Sequence, residues 1–269
     1  EAINGKVVVD NKKYDFNKFC IDTRKIAKDD IFVAIKGERF NANDHAIKAL
    51  ESGALIAIVE EINFDLKDAE GKGTIIKVDS TEKALLDLAN YYRKKINIKV
   101  VAVTGSTGKT STKDLVAALL SSKYNVFKTK GNFNSSIGLP LMIFELTSKH
   151  DVAVLEMGMS DLGEIRVLAK TAMPDIAVIT NIGLSHIENL KTQDNILKAK
   201  MEVTDYFDEK NILIVNGEDK FLNTVKDKSY KVEKIGYNHE YDVYSSNIIL
   251  REEETEFLAH VANQSAVFT

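Results

Sequence analysis

The stretch VVAVTGSTGKTST at residues 100–112 constrains this chain more than any other feature. An apolar β-branched run feeds a glycine-rich turn, which passes through Lys-Thr into a segment with helical period. Gly105 and Gly108 let the backbone turn tightly and bring N–H groups against an anion with no Cβ in the way. A helix starting near Lys109 aims its free N–H groups and positive dipole end at the same place. Lys109 adds a full positive charge, and Thr110 offers a hydroxyl to a hard cation. Ser106, Thr107 and Ser111 complete the cradle. The loop predicts ATP and Mg2+ as its ligands. The usual pattern G-x-x-x-x-G-K-[ST] would have its first glycine at Val103, so the form here is compact, G-S-T-G-K-T.

Around the loop, short β-branched runs alternate with helical stretches. Strands are expected at Ile31–Ile35, Leu55–Val59, Thr74–Val78, Lys99–Thr104, Val152–Leu155, Ile176–Thr180 and Ile212–Val215. The runs near 152, 176 and 212 are apolar without alternation, as in strands covered on both faces. Helices are expected over Ser80–Lys95, with Ala84, Leu85, Leu88, Tyr91 and Tyr92 inward, and over Thr110–Ser122, with Leu115, Val116, Leu119 and Leu120 inward. This alternation predicts an α/β fold with a mostly parallel sheet. A small α/β domain over residues 1–96 would precede an ATP-binding domain over 97–269. The tail from Asp242 carries β-like pieces and ends mid-pattern at Thr269. The start, EAINGKVVVD, reads as a chain lacking its first residues.

The charge excludes some partners. A net −4 with both signs interspersed gives no basic stripe for nucleic acid. No apolar run has the length of a membrane span, and the N-terminus has no signal-peptide pattern. Cys20 is the single cysteine, so no internal disulfide forms, which suits a reducing, cytoplasmic setting.

In open α/β sheets, ligands bind beyond the strand C-termini. Two metal-ligating residue types stand there. Glu156 ends the run DVAVLE, and His186 follows the strand DIAVITNIG. The loop KGNFNSSIGLP presents Asn132, Asn134 and Ser135 as candidate substrate contacts.

These motifs resemble the Mur ligase superfamily, the ATP-dependent amide-forming enzymes of peptidoglycan assembly. Beside TGSTGKTST, the matching blocks are DTRKIAKDDIFVAIKGERFNANDHA (22–46), KGNFNSSIGLP (130–140), VLEMGMSDLGEI (154–165), TNIGLSHIENL (180–190) and KAKMEV (198–203). The resemblance implies an N-terminal UDP-substrate domain, a central ATPase domain, here cut before its end, and a C-terminal amine-binding domain that is absent. Lys109 would bind the β- and γ-phosphates. Thr110 and Glu156 would hold one Mg2+, and His186 would help hold a second. Lys200 matches a lysine that family members carbamylate to steady that second metal. Thr23, Arg24 and the loop ending at His45 match the uridine-diphosphate region. Family members usually read Asp-Gly-His or Asp-Ala-His where this chain has Asn41-Ala42-Asn43-Asp44-His45.

The LEMGM and NIGLSHIE pair implies the member of the family that joins D-alanyl-D-alanine to UDP-N-acetylmuramoyl-tripeptide through an acyl phosphate. A sibling or folylpolyglutamate-type ligase, or a binding fragment without turnover, stands as the alternative.

Overall fold

The computed structural model describes residues 2–262 and 264–269. The chain divides into two compact units, Glu1–Lys95 with Ser136–Glu145, and Ile96–Ser135 with Leu146–Thr269.

The first unit is built on a five-stranded sheet. Its strands are β1 (Lys6–Val9), β2 (Phe19–Cys20), β3 (Ile31–Val33), β4 (Ile56–Val59) and β5 (Thr74–Lys77), in spatial order β1-β5-β4-β3-β2. β2 to β5 run parallel, and β1 closes one edge antiparallel to β5. α1 (Ala46–Glu51) and α2 (Thr81–Lys95) belong to this unit. α1 adds Ala46, Ala49 and Leu50 to a core with Phe32, Ala57 and Ile75 on one face of the sheet. Val33, Ile56 and Ile58 face a second core with Ala84 and Leu85 of α2.

The second unit carries nine strands. In chain order it begins with β6 (Lys99–Thr104), α3 (Lys109–Leu120) and β7 (Val126–Lys128). The chain then leaves for α4 (Gly138–Phe144), which packs against α2 in the first unit, with Phe144 stacked on Phe19 at 3.9 Å. It returns through β8 (Val152–Glu156), α5 (Glu164–Ala172), β9 (Ile176–Ile179), α6 (Ile187–Leu190), α7 (Gln193–Met201) and β10 (Ile212–Asn216). β11 (Lys231–Gly236), β12 (Val243–Leu250), β13 (Thr255–Val261) and β14 (Gln264–Phe268) follow.

The spatial order is β14-β13-β12-β11-β10-β9-β6-β8-β7, parallel from β7 to β12 and antiparallel for the last hairpins. β6 lies between β8 and β9, so the chain first builds to one side of it and then crosses to the other. That reversal is the switch point at which such sheets open a crevice beyond their strand ends.

All seven expected strands form, within a residue or two of their expected ends. β8 is buried throughout, whereas β10 alternates, with Leu213 and Val215 buried and Ile212 and Ile214 half-buried, so one of its faces is only partly covered. Two helical faces also differ from expectation. Leu115 and Leu119 are 65% and 63% exposed, and α3 instead turns Lys113, Val116, Ala117 and Leu120 inward. The rotation of α3 is set at its first turn, where Thr110 bonds to Glu156 on β8. Residues three and seven further on then share that face, which puts 115 and 119 on the opposite side. In α2 the buried face runs through Thr81, Ala84, Leu85, Ala89 and Arg93. Tyr91 stays exposed, under the Lys95 ammonium at 4.3 Å. Cys20 is buried and free, and no described helix is long and apolar enough to cross a membrane.

Candidate functional site: a phosphate cradle at the sheet switch point

β6 delivers the chain to Gly105, whose φ is +147°, and Gly108, with φ +76°, opens α3. Gly105 is glycine because a Cβ there would lie 1.8 Å from the Thr180 hydroxyl oxygen. α3 begins at Lys109 with no side-chain cap, which leaves its first N–H groups to whatever occupies the space before it.

A cleft of about 480 Å³ opens at that point, lined by Gly108, Lys109, Thr110, Ser111, Gly131, Asn132, Asn134 and Glu156. Glu156, at the end of β8, is 3% exposed. One of its oxygens accepts the Thr110 hydroxyl at 2.9 Å and the other accepts the Asn134 amide at 2.8 Å. The Glu156 N–H donates to the Thr129 hydroxyl at 2.9 Å, and the buried Lys113 ammonium donates to the Thr129 carbonyl at 3.0 Å. The carboxylate therefore sits on a rigid strand end with its orientation set from three sides. Lys109 donates to the Gly105 carbonyl at 2.9 Å and the Ser106 carbonyl at 3.4 Å. Ser106 and Thr107 are bonded to the segment after β9.

Lys200, in the last turn of α7, is 2% exposed. It has no hydrogen-bond or ion-pair partner among the described residues, other than those within its helix backbone. Burial, and then the neighbouring Lys109 charge, push its ammonium down to about 7. Its helix is anchored two residues on. Glu202, also buried, accepts the Gly163 N–H at 2.8 Å and the Arg166 N–H at 3.2 Å at the start of α5. His186 is exposed, with left-handed backbone (φ 63°) just before α6. Among the described residues no hydrogen bond or ion pair joins His186 to Glu156.

The donor set at the cleft fits a magnesium–phosphate group. A carboxylate and a hydroxyl, 2.9 Å apart, are hard oxygen ligands, and such sites leave most of the coordination to water and phosphate oxygens. Among the described residues no three His, Cys, Asp or Glu side chains cluster there. The buried Thr104 hydroxyl, one residue before Gly105, also has no partner among the described residues.

The remaining expected residues lie in the first unit or at its border. Thr23 and Arg24 form a short 3-10 turn after Asp22. Asp22 takes the Arg24 N–H at 3.0 Å and its guanidinium at 2.9 Å on each oxygen, and those bonds hold the Asp22 carboxyl down at about 2. His45 stacks on Phe40 with ring centres 5.0 Å apart. Asn41 caps the turn Ala42–His45 by accepting the Asn43 N–H at 3.1 Å. Buried Asn43 in turn accepts the N–H groups of Glu60 and Glu61. Ser135 closes the first segment of the second unit. Sequence reasoning passed over Lys113, Thr129, Thr180 and Asn181. The signal available for the last two was a polar Thr-Asn pair ending an otherwise apolar strand, VITN.

A parallel sheet that hands a glycine loop, a lysine and a threonine to the start of a helix, facing an acid on the adjacent strand, defines a phosphate-binding-loop α/β domain. The Mur ligase middle domain family matches residues 103–269. The chain belongs to the Mur ligase family.

It is similar to the UDP-N-acetylmuramoyl-tripeptide–D-alanyl-D-alanine ligase of Bacillus subtilis, 38% identical over 88% of this chain and 50% of that protein. Among solved structures it superposes on MurF of Acinetobacter baumannii with a TM-score of 0.85 at 32% identity, over 93% of this chain and 54% of that one. MurF ligase of Thermotoga maritima, solved in complex with ADP, gives 0.83 at 32% identity, over 93% and 57%. The chain thus spans about half the length of the curated relatives it matches.

Proposed function

We propose that the chain serves an ATP-dependent ligase that joins D-alanyl-D-alanine to UDP-N-acetylmuramoyl-tripeptide, in peptidoglycan precursor synthesis in the cytoplasm. The observation that carries this reading is the Thr110–Glu156–Asn134 set at the mouth of the loop, in a chain whose relatives bear that activity in their names. The second unit would take ATP, and the first the UDP end of the substrate through Thr23, Arg24 and His45. Asn132, which lines the cleft, and Ser135, three residues on in the same loop, would be further substrate contacts.

The reaction has two steps. A carboxylate oxygen of the tripeptide attacks the γ-phosphorus of ATP, and ADP leaves with the bond to its β-phosphate oxygen. The amine of D-alanyl-D-alanine then attacks the acyl carbon, loses a proton, and expels phosphate. Lys109 and the first N–H groups of α3 neutralise the phosphate oxygens, while the strand-end carboxylate and Thr110 would hold Mg2+. Mg2+ bound there supplies further positive charge to the crowded oxygens. Side chains here orient and neutralise, and none needs to form a covalent bond with substrate. With UDP-muramoyl-tripeptide and MgATP, ADP should accumulate beyond one equivalent per protein only when D-alanyl-D-alanine is present to consume the acyl phosphate. Equal ADP release with a single free amino acid in its place would move the assignment to a sibling ligase.

Lys200 would complete the second metal position with His186. A buried amine with no side-chain partner among the described residues, its pKa lowered to about 7 by burial, presents a fraction of unprotonated lone pair to CO2. The neutral amine nitrogen bonds to the CO2 carbon, one N–H proton leaves to solvent, and the product is a carbamate anion; counted from the ammonium, two protons are lost. With isotope-labelled bicarbonate, carbon NMR is expected to show a carbamate signal that is missing from Lys200→Met. A signal unchanged in that variant would place the modification elsewhere.

A further inference from the structure

A phosphate cradle works only if its N–H groups point at the anion, and a peptide plane decides where each one points. In a planar trans peptide, the carbonyl of one residue and the N–H of the next face opposite ways. Holding one fixes the other.

The segment after β9 holds Thr107 from three directions. The Thr180 hydroxyl donates to the Thr107 carbonyl at 2.6 Å, and the Asn181 amide donates to the same carbonyl at 3.2 Å and to the Thr107 hydroxyl at 2.9 Å. The Asn181 side-chain oxygen accepts the Thr107 N–H at 3.1 Å, and its backbone oxygen accepts the Ser106 N–H at 3.0 Å. Gly183 adds an N–H to the Ser106 hydroxyl at 2.8 Å. Two loop N–H groups, those of Ser106 and Thr107, are thereby taken up by protein. The next four, from Gly108 to Ser111, have no acceptor among the described residues, and all four residues line the cleft.

We propose that Asn181 is a positioning residue for the phosphate. By drawing the Thr107 carbonyl back toward the end of β9, it turns the following N–H, that of Gly108, into the cleft. Thr180 pulls on the same carbonyl from beside it. Asn181 itself touches no phosphate, because its amide is spent on Thr107. This assignment rests on the reading of the loop as a nucleotide site.

The test measures MgADP binding to the protein by calorimetry, with the Gly108 amide followed by NMR. The wild-type Gly108 signal should shift on adding MgADP. Asn181→Ala is expected to weaken binding about tenfold or more, the range of about 1.4 kcal/mol, and to abolish that shift with the melting temperature preserved. Thr180→Val removes the second donor to the same carbonyl and should weaken binding less. The two changes should combine non-additively, as expected of groups acting through one peptide. If Asn181→Ala fails to fold, Thr180→Val decides the matter through the Gly108 signal alone. Wild-type protein that binds no MgADP would overturn the nucleotide reading. Tight binding in wild type that survives both substitutions, with Gly108 still shifting, would overturn only the role of Asn181.

Discussion

Replacing Lys109 with alanine is expected to lower turnover in the proposed ligase reaction by about 10²–10³-fold, the range found when one preorganised charge-stabilising donor is removed, and to leave the fold intact. The two halves of this expectation come from the same contacts. Lys109 is half-buried, and among the described residues its ammonium hydrogen-bonds to the Gly105 and Ser106 carbonyls of its own loop, at 2.9 and 3.4 Å. No strand side chain among the described residues hydrogen-bonds to Lys109. Its charge matters once phosphate enters, since no other lysine or arginine lines the cleft. Arginine is not expected to substitute, because a planar guanidinium cannot reproduce a compact ammonium inside a six-residue turn. Steady-state kinetics beside a thermal melt would check this. Turnover within a few-fold of wild type would remove Lys109 from the mechanism.

Gly105→Ala is expected to have the largest effect on stability. A methyl group there would meet the Thr180 hydroxyl at 1.8 Å, the Thr180 Cβ at 3.0 Å and its backbone nitrogen at 3.1 Å, at a backbone φ of +147°. Overpacking and backbone strain together cost about 4 kcal/mol. In a unit of this size that corresponds to a fall in melting temperature of about 10 °C, and the displaced loop should lose nucleotide affinity as well. Gly108→Ala makes the comparison, because a Cβ there has nothing within 4 Å and only the positive φ of 76° to pay for. Its melt should drop by about 1–2 kcal/mol equivalent. Thr180→Ala in the Gly105→Ala background should recover part of the loss, since the hydroxyl is the nearest clashing atom but not the only one. Calorimetric melts of the four proteins would decide it, and equal losses at the two glycines would refute the steric account.

Much of this was legible along the chain. β-Branched runs bounded by polar turns marked β3 to β6 and β8 to β10 because strand formation there is driven by local apolar content. The loop was legible because its chemistry is contiguous: glycines for the turn, then Lys109 and Thr110 within one helical turn. Glu156 was legible as an acid closing an apolar strand. The inward faces of helices were less so. Leu115 and Leu119 are as apolar as Val116 and Leu120, and periodicity alone cannot choose between two overlapping stripes. The bond from Thr110 to Glu156 makes that choice, and it joins residues 46 apart. Tyr91 was misplaced for a related reason, since an aromatic ring beside Lys95 satisfies itself at the surface.

The sequence by itself determined the α/β class, the compact phosphate loop and the family, because each rests on neighbours in the chain. The tertiary structure alone decided how the loop is aimed. Thr180 and Asn181 lie more than seventy residues from Thr107, yet they set the direction of its carbonyl. The sheet order, with β9 beside β6, brings them together. It likewise sent residues 136–145 back to pack with α2, and buried Lys200 so that desolvation lowers the pKa of its ammonium. Peptide planes and desolvation act through space, so no reading of local pattern contains them.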